Sequence, residues 1–241
     1  MERSRGVYSF LGLPSFYDGF QRLVGARSAH EWLLYKHWGL KGFRGLVVDV
    51  GCGPGTIFEM LTQSTYTGFD INSDYIASAH ARFGDRATFF HGDVRLVRRD
   101  ARLRDVDVVI CLGVLHHLDD EETRGVVQFA QEILRPGGRF LGLEATYLIK
   151  QDRLSRLILK RDRGRNIRFQ HEWDALLRQE FADVDSHVTT GLLRIPYTHY
   201  IYEATKGCSI DRSPAKAERD ANNGEFGLDV QTSEQRAYES P

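Results

Sequence analysis

Residues 47–56, V-V-D-V-G-C-G-P-G-T, carry the densest chemical signal in the chain: an apolar run leads straight into a turn holding Gly51, Gly53 and Gly55. Lacking a Cβ, these residues let backbone approach a ligand closely, and a helix starting behind them would present unpaired N–H groups to a polar or negative moiety. The same turn could also serve only to join strand to helix. Two carboxylates point to a ligand. Asp70, in F-D-I-N, lies about twenty residues past the turn, where an acidic side chain can accept hydrogen bonds from both hydroxyls of a ribose. Asp93, in H-G-D-V at the tip of the next apolar run, could receive an adenine amino group. A dinucleotide-type G-x-G-x-x-G would place its third glycine on Thr56, which counts against a nicotinamide-dependent oxidoreductase.

These residues need a scaffold, and the pattern around them supplies one. Short continuous apolar runs at 46–50, 66–71, 87–91, 106–112 and 139–144 alternate with helical stretches at 56–62, 73–83 and 120–134. That alternation builds a parallel sheet with helices on both faces, an α/β domain. Ser73 and Asp119 or Asp120 suit helix N-caps, and Pro136, Gly137 and Gly138 are expected to stop the last helix. A helix at 170–180 then precedes strand-like runs at 184–190 and 197–205, whose short connection favours an antiparallel hairpin.

Composition narrows the partners. The 241 residues carry 32 basic and 33 acidic side chains, a net charge of -1, so there is no general basic field for nucleic acid or an anionic surface. The default partner is a small molecule. Cys52, Cys111 and Cys208 form no C-x-x-C pair and fit reduced thiols, and Asp119 and Asp120 read as a helix N-terminus, so no metal is expected. No apolar run reaches the roughly 18 residues of a membrane span. A cytoplasmic location is expected.

Taken together, the order V-x-D-V-G-C-G-P-G, F-D-I, G-D-V, V-D-V-V-I-C-L-G-V-L-H-H-L and L-R-P-G-G-R-F over roughly residues 45–145 resembles the class I S-adenosylmethionine-dependent methyltransferases, in their small-molecule branch. The resemblance implies a Rossmann-like, doubly wound, mostly parallel seven-stranded sheet with a C-terminal antiparallel hairpin. It implies that Asp49, Gly51, Cys52 and Gly53 meet the methionine part of S-adenosyl-L-methionine. Asp70 would take the ribose, Ile71 the adenine face, Asp93 with Val94 the adenine edge, and Cys111 or Leu112 would offer backbone to the adenine amino group. The sulfonium methyl would then face the end of the fourth strand, where His116 and His117 lie, one of them placed to take a proton from an acceptor. Glu144, leaving the fifth strand, is a second base or the carboxylate that orients a histidine.

Three segments lie outside this frame. Residues 1–40 read as an N-terminal helical cap in which Tyr8, Tyr17 and Arg22 are candidates to close a substrate pocket. Residues 148–168 form a basic insertion in the domain spanning 41–207, with Lys150, Arg153, Arg156, Lys160, Arg161, Arg163, Arg165 and Arg168 against Asp152 and Asp162. Residues 208–241 are expected to be a disordered tail. The expected activity is methyl transfer to a small-molecule acceptor, to oxygen before nitrogen or carbon; the alternatives are an NAD-dependent oxidoreductase and a non-catalytic scaffold of the same fold.

Overall fold

In the parallel core each strand is apolar along its whole length because helices cover both of its faces. The computed structural model describes residues 23–96, 103–162, 164 and 166–207. Its strands are β1 (Leu46–Val50), β2 (Thr65–Asp70), β3 (Thr88–His91), β4 (Val106–Leu112), β5 (Leu134–Tyr147), β6 (Arg168–Phe169), β7 (Asp183–Thr190) and β8 (Thr198–Thr205). They form one sheet in the order β3-β2-β1-β4-β5-β8-β7, with the two-residue β6 pairing β5. β1 to β5 run parallel, and β8 lies antiparallel between β5 and β7. The expected seven-stranded path is therefore present, and β6 is a short addition to it.

The chain moves outward from β1 to β3 and then returns to lay β4 on the other side of β1. That reversal leaves a crevice at the carboxyl ends of β1 and β4, the place where open α/β sheets bind ligands. Everything of functional interest gathers along this edge.

Helices α1 (Ala26–Glu31), α2 (Ser73–Phe83), α3 (Asp120–Ile133), α4 (Arg153–Arg161) and α5 (Gln170–Leu177) complete the described fold. One face of the sheet packs on α3 and α5 through Val126, Phe129, Trp173 and Leu177. The other packs on α2 and on the π-helical turn Trp32–His37 that continues α1, through Leu33, Leu34, Trp38, Ile76 and Phe83. Residues 23–40 of the expected cap are thus built into the core, while Tyr8, Tyr17 and Arg22, the tail with Cys208, and Arg163 and Arg165 lie outside the described residues.

Three local expectations change. The N-cap of α2 is Asn72, one residue before Ser73, its side chain accepting from the N–H of Asp74 and Tyr75. The stretch after the glycine turn makes only a 3-10 turn, Phe58–Met60, because Gly53 and Gly55 hold positive φ and Pro54 has no N–H to give a helix. The Pro136-Gly137-Gly138 stretch does not separate α3 from the fifth strand: β5 already begins at Leu134, paired with Val106, and the irregularity is absorbed as a register shift.

Candidate functional site

At the end of β1 the chain turns under the carboxyl edge, and Gly51 shows why that position has no side chain. A Cβ there would lie 2.3 Å from Val114 Cγ2, on the loop after β4. The N–H groups of this turn are spoken for: Gly51 and Cys52 donate to the Phe69 carbonyl at 2.8 and 3.0 Å, and Gly55 to the Cys52 carbonyl at 3.1 Å. This corrects the expectation of a helix N-terminus offering unpaired donors, because β2 satisfies the turn before any ligand arrives. The Cys52 thiol packs against Gly68 in the core, where burial pushes its pKa up, so only its main chain faces the turn.

Asp70, at the end of β2, ties the turn to its own strand. Its Oδ2 accepts from Gly53 N–H at 2.9 Å and its Oδ1 from Asn72 N–H at 2.8 Å. The Ile71 N–H also bonds this carboxylate, and with about four lone-pair sites it still has room for a further donor. Next to it Ile71 is 76% exposed, an open apolar face at the strand tip. Asp49 is buried on β1, with the Tyr66 hydroxyl donating to its Oδ2, and burial pushes its pKa up to about 7.

Asp93 follows β3, and Arg95 claims both of its oxygens: the Arg95 Nε lies 2.9 Å from each, which holds the carboxyl below its ordinary range. Val94 beside it is buried. Cys111, near the end of β4, is wholly buried between Val50 and Gly142, and Leu112 follows it half-buried opposite Leu143.

At the end of β4 the chain makes a 3-10 turn, Leu115–His117, over the carboxylate of Glu144 from β5. Glu144 Oε1 accepts from Val114 and Leu115 N–H at 3.2 and 2.9 Å, and Oε2 from His116 N–H at 3.1 Å and His116 Nδ1 at 2.6 Å. Only His116 turns inward, and His117 is exposed. Of the two readings of Glu144, the geometry is that of a carboxylate orienting a histidine.

The other ring nitrogen of His116 meets a residue that the sequence reading named only as a counter-charge in the basic insertion. Asp162, just past α4, places Oδ1 3.5 Å from His116 Nε2. Asp162 is held in turn by the Tyr197 hydroxyl at 2.6 Å and by Gly164 N–H at 2.8 Å. Gly164 itself packs so closely on the ring that a Cβ there would collide with His116 Cδ2, and Asn166 N–H donates to the His116 carbonyl at 3.1 Å. Burial alone would lower the His116 pKa, but its hydrogen bonds to Asp162 and Glu144 outweigh it and push it up to about 9. The side chain bridges two carboxylates, which favour its protonated form.

His199, at the start of β8, was missed; it is buried, its Nδ1 has no hydrogen-bond partner, and burial with the nearby charge of His116 lowers its pKa to about 4. Neither residue has a local motif, because each is brought to His116 by packing between distant segments. Arg168 leaves the basic run instead: its guanidinium is buried on Asp120, Asn166, Leu118 and the Trp173 ring. His116, His117 and Asp162 offer ligand atoms within 4.8 Å of one another, the one such cluster among the described residues that a metal ion could use.

Known proteins share this fold. A family model described as a methyltransferase domain matches residues 48–140. The chain is similar to the ubiquinone biosynthesis O-methyltransferase of Vibrio cholerae serotype O1, 32% identical over 113 residues that are 45% of this chain and 44% of that protein. The chain therefore matches less than half the length of that curated relative. Among solved structures it resembles human N-acetylserotonin methyltransferase in complex with SAM, at a TM-score of 0.57 and 19% identity over 81% of this chain and 55% of that one. It also resembles magnesium protoporphyrin IX methyltransferase from Synechocystis PCC 6803 with bound SAH, at a TM-score of 0.55 and 19% identity over 86% and 90% of the two chains. The matched segment holds the glycine turn, Asp70, Asp93 and the His116 turn, and it is over this segment that the chain resembles methyltransferase domains.

Proposed function

We propose that the chain binds S-adenosyl-L-methionine over the ends of β1 and β2 and passes its methyl group to a small-molecule acceptor, through oxygen, beside His116. The observation that carries this reading is the juxtaposition at the switch point: the Asp70 carboxylate at the end of β2 on one side, and the Glu144–His116 pair at the end of β4 on the other. The residues fit the cofactor. Asp70 is placed to receive the two ribose hydroxyls, exposed Ile71 to cover an adenine face, and buried Asp49 to lie toward an ammonium that would offset the cost of ionising it. Val94, Cys111 and Leu112 would enclose the base through backbone and packing, and Asp93 would reach the adenine amino group only while sharing its oxygens with Arg95.

When bound, the cofactor supplies an electrophilic methyl on a sulfonium sulfur. Its transfer breaks the carbon–sulfur bond, forms a carbon–oxygen bond and releases the acceptor proton. In this reading His116 Nε2 takes that proton after Asp162 has let go of it, and Glu144 keeps the ring oriented and stabilises the imidazolium that results. Because the carboxylates favour the protonated form, His116 must first lose a proton to solvent, so turnover rises with pH toward the His116 pKa of about 9. Alignment of acceptor, methyl and sulfur supplies about 7–11 kcal/mol, against about 10² to 10⁴ in rate from a base. Losing His116 should therefore slow the reaction and leave cofactor affinity intact. Tyr8, Tyr17 and Arg22 are proposed to close the acceptor side.

Titration calorimetry with SAH, followed by incubation of the full chain with methyl-labelled S-adenosylmethionine and a fractionated metabolite extract, tests the proposal. Micromolar binding and label transferred to a small organic molecule are expected. Preferential binding of NAD would replace this reading with an oxidoreductase, and binding without transfer to any fraction would favour a scaffold.

A further inference from the structure

The segment from 148 to 161 has no part in the site and is unusual on its own terms. Leu148, Ile149, Leu154 and Leu157 are all exposed, Ile149 to 92%. Between them stand Lys150, Arg153, Arg156, Lys160 and Arg161, against Asp152 as the single acid. Asp152 is used up as the N-cap of α4, its Oδ1 accepting from Leu154 and Ser155 N–H at 2.9 Å each.

The helix explains how the residues from Arg153 to Arg161 come to one surface. Ser155 and Leu159 are buried and turn α4 inward. At about 100° per residue, Leu157 then falls between Arg153 and Arg161 on the outer face, with Leu154 beside Arg161 and with Arg156 and Lys160 flanking the other edge. Among the described residues, none of the five cations enters an ion pair. Single exposed aliphatic residues are ordinary, but several on one face, rimmed by one sign of charge, mark an interaction surface.

We propose that this face docks on an anionic lipid bilayer, with α4 lying in the plane of the headgroups. A bilayer answers both halves of the pattern: Leu154 and Leu157 enter the boundary between headgroups and acyl chains, and the lysine and arginine side chains meet the lipid phosphates. A nucleic-acid surface would interleave its cations with aromatic rings, and 148–161 contains none. An acidic protein surface would match the charges and leave the aliphatic stripe without a purpose. Docking of this kind is peripheral; among the described residues no helix is long and apolar enough to cross a membrane.

The test is co-sedimentation of the full chain with vesicles of phosphatidylcholine alone or mixed with phosphatidylglycerol, at low and high salt. Strong partition to the mixed vesicles, weak partition to phosphatidylcholine, and release by salt are expected. R156E/K160E should weaken binding by at least about fivefold for each cation removed, and L154E/L157E should weaken it comparably. All four positions are exposed, so an unchanged circular dichroism spectrum and melting temperature should confirm that each variant is folded. A wild-type chain that stays in the supernatant would overturn the proposal. So would an L154E/L157E variant that still sediments with anionic vesicles, since a surface that reads charge alone fits an acidic protein instead.

Discussion

His116 is held from both sides, and the two sides are not equivalent. Glu144 is buried on β5 and accepts from the N–H groups of Val114, Leu115 and His116 and from the His116 ring, so it is part of the architecture. Asp162 reaches in from a connecting segment at 3.5 Å and is the partner an acceptor can displace. Asp162→Asn should therefore lower the His116 pKa and move the rising limb of kcat/KM to lower pH by about one to two pH units, with SAH affinity unchanged; a pH–rate profile of both proteins decides this. Glu144→Gln turns an NH₂ donor toward donors that the carboxylate now satisfies. It should destabilise the fold by about 1–3 kcal/mol, read from urea denaturation midpoints. Asp70→Ala removes the acceptor proposed for the ribose and should weaken SAH binding at least about tenfold in calorimetry, the effect of losing charge-assisted hydrogen bonds worth about 1.5–3 kcal/mol.

Elements built on local signals were the legible ones. Ser73–Phe83 and Val106–Leu112 have the boundaries their patterns indicate, and α3 starts on an Asp119–Glu122 capping box that the acidic cluster announces. Asp119→Ala should cost about 1 kcal/mol in the same denaturation assay. The glycine turn was legible as a site and not as a conformation. The N–H groups of Gly51 and Cys52 go to the Phe69 carbonyl on another strand, and a pairing that distant leaves no mark within the motif. Asp162 and His199 were unreadable for the same reason, since each meets His116 through packing across the chain. Gly51→Ala offers a test at this scale. Its Cβ would collide with Val114 and its φ of 73° is unfavourable to alanine, so destabilisation should be relieved only in part by Val114→Ala, which removes the collision and leaves the backbone strain.

Across the whole molecule the buried charges set the pH range of stability. His116 has a folded pKa of about 9 against an ordinary 6.5, so its contribution is full below 6.5 and fades as pH rises through 9. Asp162 is held below its ordinary 3.8 by His116 and Tyr197 despite its partial burial, so its contribution is present above that value and is lost as pH falls. Asp49 runs the other way: raised to about 7, it favours the folded state when protonated and works against it as pH climbs from 3.8 through 7. The melting-temperature gap between the wild-type chain and Asp162→Asn should accordingly be widest between about pH 4 and 6.5 and close above pH 9. A gap that widens with alkalinity would mean that His116 is neutral in the folded protein.

The account rests on one placement, adenosine held at its sugar by Asp70 with the sulfur turned toward His116. A crystal structure of the chain with SAH measures it directly. Both ribose hydroxyls should donate to the Asp70 carboxylate, and the sulfur should open onto the space between His116 and Asp162. A ribose bound away from Asp70, or a sulfur directed away from the Leu115–His117 turn, would contradict it.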